Sequence, residues 1–261
     1  MKKGTLTIVG TGFLAVGQTT PEAIVCIERA EKLFHMVSDP VALSWLRELN
    51  PTAESLHNYY GEGKSRNVSY AEMAERMLVP VREGLEVCAA FYGHPGVFVK
   101  PSHAAIRQAR LEGYTARMLP GISAEDCLIA DLGVDPAKHG CQSFEATYFL
   151  TRKLRFDPHC SLILWQIGVV GVTDYQKNDL WSQEGVEVLQ EFLLEHYPAD
   201  HEVTIYQAPQ LPVCPPIIQP VPLARLSSAE VTVSSTLYVP PIGPAPANTE
   251  MLDRLRMPRP A

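Results

Sequence analysis

Short apolar runs alternate with amphipathic helical patterns through the first 120 residues, and this alternation constrains the fold more than any other feature of the chain. A largely parallel sheet with helices on both faces is the architecture that such an alternation favours. The predicted strands are Thr5–Val9, Lys32–Val37, Leu85–Tyr92, Gly96–Lys100 and Thr115–Leu119. Residues 1–120 are therefore predicted to form an N-terminal α/β domain.

Local start signals place helices between these strands. Thr20 is followed by Pro21, which combines an N-cap residue with a proline at the first helical position. Ser69 and Glu72 have the spacing of a capping box. This spacing predicts that a long helix begins at Ser69 and stops at Gly84.

The pattern changes after the Pro120–Gly121 turn, where the strand-like runs become longer. They are Ser143–Leu150, Ser161–Gly168, Glu202–Ala208 and Glu230–Val239, separated by predicted helices at 123–132 and 179–197. Residues 121–241 are predicted to form a second α/β domain with a mixed sheet. Prolines crowd the residues after Val239, so residues 242–261 are predicted to be a proline-rich C-terminal tail.

Charge and hydropathy restrict the partners of the chain. The formal net charge is −7, which argues against nucleic-acid binding through a broad basic face. No uninterrupted apolar run reaches the roughly 18 residues of a membrane span. The N-terminus enters the first predicted strand without the apolar region of a signal peptide. We therefore expect a cytoplasmic protein with no nucleic-acid or membrane partner.

The loop after the first predicted strand, Val9–Ala15 (VGTGFLA), satisfies the Gly-x-Gly-x-x-Ala fingerprint of dinucleotide sites. In such sites the helix opens within the turn, so that its amides face a pyrophosphate. Here Gly17 and the start signal at Thr20 delay the helix, which argues against a nicotinamide cofactor. For Gly10 and Gly12 two interpretations stay open, namely close approach of a ligand to the backbone or a plain tight turn.

Two further segments combine turn residues with polar side chains at the ends of predicted strands. Phe91–Val99 (FYGHPGVFV) places His94 in a corner of two glycines and a proline. This histidine either bonds to nearby main chain or holds the polar end of a ligand. Met118–Asp126 (MLPGISAED) leads into a helix start, where Ser123 and Asp126 fit a capping box.

Motifs for metal sites and for nucleophilic catalysis, such as His-Glu-x-x-His and Gly-x-Ser-x-Gly, are missing from the sequence, so we expect no metal. The segment His57–Tyr70 is instead rich in tyrosine. It places Arg66 just ahead of a predicted helix start and Tyr70 in the first turn, where positive potential would lower the pKa of a phenol. A surface loop with tyrosines that serve packing is the alternative.

In order and spacing, Val9–Gly12, Tyr92–Phe98 and Leu119–Asp126 resemble the tetrapyrrole methylase superfamily of S-adenosylmethionine-dependent methyltransferases. Within it the chain is most similar to the borosin peptide backbone α-N-methyltransferases, with which it shares His139–Cys141, Glu145–Thr147, Trp165–Gly168 and Ser234–Pro241. The resemblance covers residues 4–241. It implies two α/β domains with S-adenosylmethionine in the cleft between them, and a homodimer.

The resemblance also implies the site residues. The cofactor contacts would come from both predicted domains, namely Gly10, Gly12, Tyr92, His94, Val97, Phe98, Ser123, Ala124, Gln166, Tyr206, Ala208, Ser235 and Thr236. The implied catalytic residues are Tyr60, Arg66 and Tyr70, which keep the Arg-x-x-x-Tyr spacing of the borosin enzymes. His57 stands where those enzymes usually have a further tyrosine.

Methylation of a backbone amide would explain these residue types. An amide nitrogen is a weak nucleophile, so its proton must be removed or its imidate form stabilised. We expect Tyr70 or Tyr60, made more acidic by Arg66, to accept that proton directly or through water. Arg66 would stabilise the charge that develops on the amide oxygen.

The expected substrate is a separate precursor peptide with a leader and an apolar core. Well-known members of the borosin group carry their substrate as a C-terminal extension, whereas residues 242–261 are dense in proline, which has no N–H to methylate. Three alternatives remain open: a methyltransferase for a precorrin-like tetrapyrrole, a relative that acts on ribosomal RNA or a modified histidine, and a catalytically silent partner that sequesters the leader.

Overall fold

The computed structural model describes residues 4–175, 181–211 and 213–259. These residues form two compact units. The first contains the described residues of Met1–Gly133, Thr173–Leu180 and Gln207–Ile217, and the second those of Val134–Val172, Trp181–Tyr206 and Ile218–Ala261. Both units are therefore discontinuous in sequence, and the division at residue 120 stays a prediction.

A parallel sheet forms the centre of the first unit. Its strands are β1 (Thr5–Gly10), β2 (Lys32–Met36), β3 (Glu54–Ser55), β4 (Glu86–Phe91) and β5 (Thr115–Met118). They lie in the order β3-β2-β4-β1-β5, and every neighbouring pair is parallel. The α/β prediction for this half of the chain is confirmed.

Six helices of the described chain belong to this unit. They are α1 (Ala15–Gln18), α2 (Pro21–Arg29), α3 (Pro40–Leu49), α4 (Arg66–Arg82), α5 (Lys100–Leu111) and α6 (Ala124–Leu132). The period of two in β1 directs Leu6 and Ile8 to a cluster that contains Met73 of α4. Val9 belongs to a second cluster with Ile27 of α2. The sheet therefore packs against helices on both faces, as predicted.

The cap at Thr20 is confirmed, because its hydroxyl accepts a hydrogen bond from the amide of Ala23. The cap predicted at Ser69 is wrong. The helix α4 begins earlier, after Ser65 at the N-cap, and Ser69 is buried inside it. The strand predicted at Gly96–Lys100 is also wrong, because Lys100 is the first residue of α5.

A mixed sheet forms the second unit, as predicted. Its strands are β6 (Cys141–Glu145), β7 (Ser161–Trp165), β8 (Glu202–Gln207), β9 (Ile217–Pro222) and β10 (Thr236–Val239), in the order β6-β7-β10-β8-β9. β6 is parallel to β7, whereas β10 is antiparallel to both β7 and β8.

The helices of this unit are α7 (Pro136–His139), α8 (Ala146–Thr151), α9 (Gln183–Leu194) and, in the tail, α10 (Thr249–Leu255). The strand predicted at Ser143–Leu150 is wrong in its second half, which is α8. The strand predicted from Glu230 forms only from Thr236. Asp179, the predicted start of the long helix, and the last two tail residues lie outside the described residues.

Candidate functional site

Three loops meet at one edge of the parallel sheet. The strands β4, β1 and β5 are neighbours and parallel, so the segments that follow them leave from the same edge. The first two loops join through their backbones, because the Gly93 amide donates to the Gly12 carbonyl at 2.8 Å and the Gly12 amide to the Gly93 carbonyl at 3.3 Å. The three motif segments of the sequence are thereby brought together.

Glycine is required where these loops touch. A Cβ added to Gly10 would lie 2.4 Å from the Gly93 carbonyl oxygen and 3.1 Å from the Gly121 Cα. One added to Gly121 would lie 2.9 Å from the Gly10 Cα. Gly12 and Gly93 have φ values of 65° and 67°, in the left-handed region. Loop packing therefore accounts for these glycines, and a cofactor contact of Gly10 and Gly12 stays a prediction.

The backbone amides of the loop after β1 already have a hydrogen-bond acceptor. The Oε1 atom of Gln18 accepts from the amides of Phe13 at 2.7 Å and Leu14 at 3.0 Å. Contrary to the predicted delay, the one-turn helix α1 follows this loop directly. Because Gln18 occupies the amides that a pyrophosphate would use, the loop is not built as a dinucleotide site.

The loop between β4 and α5 exposes a group of apolar side chains. His94 shapes the turn, since its Nδ1 atom accepts from the Gly96 amide at 3.0 Å, and its contact with a ligand stays a prediction. Tyr92, Val97 and Phe98 are 55%, 37% and 51% exposed. Phe98 also adopts a φ of 56°, which is strained for a residue other than glycine. The loop therefore presents an apolar surface beside the imidazole.

At the start of α6, Ser123 and Asp126 form the predicted capping box. The Ser123 hydroxyl donates to the Asp126 carboxylate at 2.7 Å and accepts from the Asp126 amide at 3.1 Å. Because the side chain of Ser123 is used for capping and is 7% exposed, a contact of Ser123 or Ala124 with a ligand would use the backbone.

The remaining residues proposed for cofactor binding lie at the other end of the sequence. Four of them are in the second unit, namely Gln166, Tyr206, Ser235 and Thr236. The amide of Ile167, which follows Gln166, donates to the Ser235 carbonyl at 3.1 Å. Thr236 pairs with Tyr206 between β10 and β8. Gln166 is exposed and has a φ of 60°. Ala208, which belongs to the first unit, is 5% exposed.

The three candidate catalytic residues come together at the start of α4. Arg66 is the first residue of the helix and Tyr70 lies in its second turn, not in the first turn as predicted. Tyr60 follows a short 3-10 turn, and its ring meets that of Tyr70 edge to face, with 6.2 Å between the centroids. Both rings pack against the hydrophobic cluster under α4. The hydrophobic core of the first unit therefore holds both of these candidate catalytic tyrosines in place.

Burial decides the acidity of Tyr60. Burial and the neighbouring Tyr70 raise the pKa of Tyr60 well above its usual value, although the positive charge of Arg66 acts in the opposite direction. Arg66 thus lowers the pKa of Tyr60 as expected, but burial outweighs its charge, so the expectation of an acidic Tyr60 is wrong. Arg66 forms no salt bridge with any carboxylate of the described chain, and it lies within electrostatic range of Tyr92 as well as Tyr60.

Two residues extend this group of side chains. The ring of Tyr175 stacks on Tyr60, with centroids 4.7 Å apart and planes inclined by 15°. His57 lies 6.3 Å from Tyr60, centroid to centroid, and its Nε2 atom is 3.0 Å from the Ser38 hydroxyl. Sequence reasoning missed Tyr175, because no local pattern links it to a tyrosine more than 100 residues earlier.

The described residues include no group of three or more His, Cys, Asp or Glu side chains placed to hold a metal ion. Within the same ranges, no helix is long and apolar enough to cross a membrane.

Known proteins of similar sequence identify the family of the chain. The sequence profile of the tetrapyrrole (corrin/porphyrin) methylases matches residues 5–208. The chain belongs to the tetrapyrrole methylase family. The fold of the chain is similar to that of uroporphyrin-III-C-methyltransferase from Thermus thermophilus, with a TM-score of 0.66 at 18% identity over 99% of this chain and 98% of that one.

Two relatives of this chain have names that include a peptide precursor. A protein of Dendrothele bispora, named as a methyltransferase and ribosomally synthesized cyclic peptide dendrothelin A precursor, is 42% identical over 255 residues, which are 96% of this chain and 61% of that protein. A type I borosin cyclic peptide precursor and methyltransferase of Serendipita vermifera subsp. bescii is 42% identical over 266 residues, 98% of this chain and 64% of that protein. The chain thus spans a little over three fifths of these relatives, and the resemblance to both groups is confirmed.

Proposed function

We propose that this chain is an S-adenosylmethionine-dependent methyltransferase that methylates backbone amides of a peptide. One observation carries the proposal. Arg66, which has no carboxylate partner in the described chain, stands among Tyr60, Tyr70 and Tyr92, and Tyr92 begins the loop assigned to the cofactor. The names of the relatives, which join a methyltransferase to a peptide precursor, support the same assignment.

The loop after β4 fits S-adenosylmethionine. The adenine and the carbon chain of this cofactor need apolar surface, and its sulfonium is a cation that aromatic faces attract. Tyr92, Val97 and Phe98 offer such surface, and a group of exposed apolar side chains marks a binding site. Because Nδ1 of His94 accepts from Gly96, its Nε2 atom carries the proton and serves as a donor. S-adenosylmethionine would supply an electrophilic methyl group.

The chain's own residues would prepare the acceptor amide. Arg66 would bind the amide oxygen and stabilise the negative charge that develops there as the N–H proton leaves. Tyr60, whose raised pKa keeps its phenol protonated, would donate a second hydrogen bond to the same oxygen. Tyr70 would accept the N–H proton directly or through water. The deprotonated nitrogen would then be the acceptor for that methyl group, and the proton would pass from Tyr70 to solvent.

The proposal includes a separate peptide as the substrate and a homodimer as the active form. Pro240, Pro241, Pro244 and Pro246 of this chain have no N–H, so they would not be methyl acceptors themselves. A small tetrapyrrole acceptor and a silent leader-binding protein are the outcomes against which the proposal is tested.

The experiment combines the protein with S-adenosylmethionine and the product of any short open reading frame found beside its gene, followed by tandem mass spectrometry. We expect methyl groups on backbone nitrogens of the apolar core. Arg66→Ala and Tyr70→Phe should abolish transfer and keep cofactor affinity, whereas the matched control Arg152→Ala should remain active. Methylation of uroporphyrinogen but not of the peptide would replace the proposal by the tetrapyrrole function, and failure to bind the cofactor would identify a silent binding protein.

A further inference from the structure

A short segment from the middle of the chain lies against the loop between Tyr60 and Arg66. The Tyr175 amide donates to the Lys64 carbonyl at 3.1 Å, and the Gly63 amide donates to the Tyr175 carbonyl at 3.0 Å. Ser65 and Asp174 form the adjoining antiparallel bridge. The segment Thr173–Tyr175 therefore adds a strand-like edge to residues 63–65.

The same loop is also held from within. The Lys64 ammonium donates to the Tyr59 carbonyl at 3.0 Å and pairs with Glu72 on α4. Its main-chain carbonyl is the acceptor for Tyr175. One lysine thus connects the turn before Tyr60, the helix after Arg66 and the segment that carries Tyr175. Movement of this segment would be transmitted to both ends of the loop.

The Tyr60 ring is enclosed by aromatic neighbours. Tyr175 covers one face in a nearly parallel stack at 4.7 Å, Tyr70 meets the ring edge to face at 6.2 Å, and His57 lies 6.3 Å away. The stack is the closest of the three contacts. The hydroxyl oxygen of a tyrosine moves only when the whole side chain swings about χ1, and the stack blocks that swing on one face of the Tyr60 ring.

We infer that Tyr175 is a positioning residue for peptide methylation, which acts by holding the Tyr60 ring at the angle that directs its hydroxyl to the substrate amide. The inference rests on the proposed function. The proposed contribution of Tyr175 is the stacking of its aromatic ring on Tyr60, and its hydroxyl group has no part in it. Displacement of a catalytic group by roughly 1 Å can lower a rate about 100-fold, which sets the size of the effect.

Two substitutions separate the ring from the hydroxyl. Tyr175→Phe keeps the stack, so kcat for the peptide should stay within about twofold of the parent protein. Tyr175→Leu removes the stack and should lower kcat about 100-fold, with KM for the peptide and the Kd for S-adenosylmethionine unchanged. Tyr148→Leu, at an exposed tyrosine of the second unit, is the control for loss of a tyrosine side chain.

Either of two results would overturn the inference. Retention of kcat by Tyr175→Leu would show that the stack is dispensable, and equal loss in Tyr175→Phe would show that the hydroxyl itself takes part. A readout without turnover keeps the test independent of the proposed function. With 13C-labelled tyrosine ring carbons, assigned through Tyr60→Phe, the Tyr60 resonance should shift in Tyr175→Leu and stay in Tyr175→Phe. An unchanged resonance in both variants would refute the positioning role, whatever the substrate.

Discussion

Gly10→Ala is the most direct test of the glycine contact between the three loops. The added Cβ would lie 2.4 Å from the Gly93 carbonyl oxygen and 2.7 Å from the Pro95 Cδ. Because non-bonded contacts are optimal at about 3.5–4.0 Å, the loops would have to separate by roughly 1 Å. Neither obstacle can rotate away, since one is main chain and the other a proline ring.

The expected loss follows from this geometry. Overpacking of a close-packed site costs about 1–3 kcal/mol, and the two rigid obstacles place Gly10→Ala at about 3 kcal/mol. With a urea dependence of about 1–3 kcal/mol per molar, the unfolding midpoint should fall by about 1–3 M. Equilibrium unfolding in urea, followed by circular dichroism, measures this. Calorimetry should show weaker binding of S-adenosylmethionine, because the β4–α5 loop moves with Gly93.

Gly17→Ala is the matched control. It makes the same chemical change a few residues away in α1, where nothing lies within 4 Å of the added Cβ. An alanine inside a helix should leave stability unchanged or raise it by up to about 1 kcal/mol. If Gly10→Ala unfolds within about 0.5 kcal/mol of Gly17→Ala, a difference typical of neutral surface changes, the loops are not in the contact described and the reasoning fails.

Three further substitutions yield predictions. Hydrogen bonds from Arg76 lower the pKa of Glu54 to about 2 from 4.5. Their stabilisation is complete above pH 4.5 and is lost as the pH falls towards 2, so Glu54→Gln should lower the free energy of unfolding in urea by about 1–3 kcal/mol at pH 7 and by much less at pH 2. Asp126→Ala removes the capping box with Ser123 and should cost about 1 kcal/mol in the same assay; full stability would contradict the cap. Tyr60→Phe should lower kcat for the peptide about 100-fold or more while leaving Tm unchanged, and an unaltered kcat would exclude Tyr60 as a donor.

The sheet of the first unit could be predicted because its information is local. Strands β1, β2 and β4 are short, largely apolar runs, and both faces of the sheet are buried there. The edge strand β5 instead alternates exposed Thr115 and Arg117 with buried Ala116. The two-residue strand β3 is too short to give a periodic signal. It forms because β2 offers it an edge, which is a tertiary effect.

The capping motifs predicted a helix start correctly only where helix-breaking residues stand beside them. Ser123 follows Pro120 and Gly121, so the helix cannot extend backwards, and the cap forms as predicted. Ser69 has the same spacing to an acidic residue, but residues 66–68 can be helical, and α4 therefore extends back to the loop after Gly63. The helix α8 was mistaken for a strand because its cap is Glu145, a residue type that rarely caps.

The acidity of Tyr60 depends on the balance between its burial and the charge of Arg66, and no local sequence pattern shows that balance. Arg66 lies six residues after Tyr60, which favoured an acidic phenol, yet burial outweighs this charge. The stacked ring of Tyr175 belongs to a segment of the first unit that follows residues 134–172 of the second unit in the sequence. A tyrosine that stays protonated is a hydrogen-bond donor, so we propose different roles for two tyrosines that are interchangeable in the sequence pattern. In this proposal Tyr60 stabilises the amide oxygen, and Tyr70 or a water molecule bound to it accepts the amide proton.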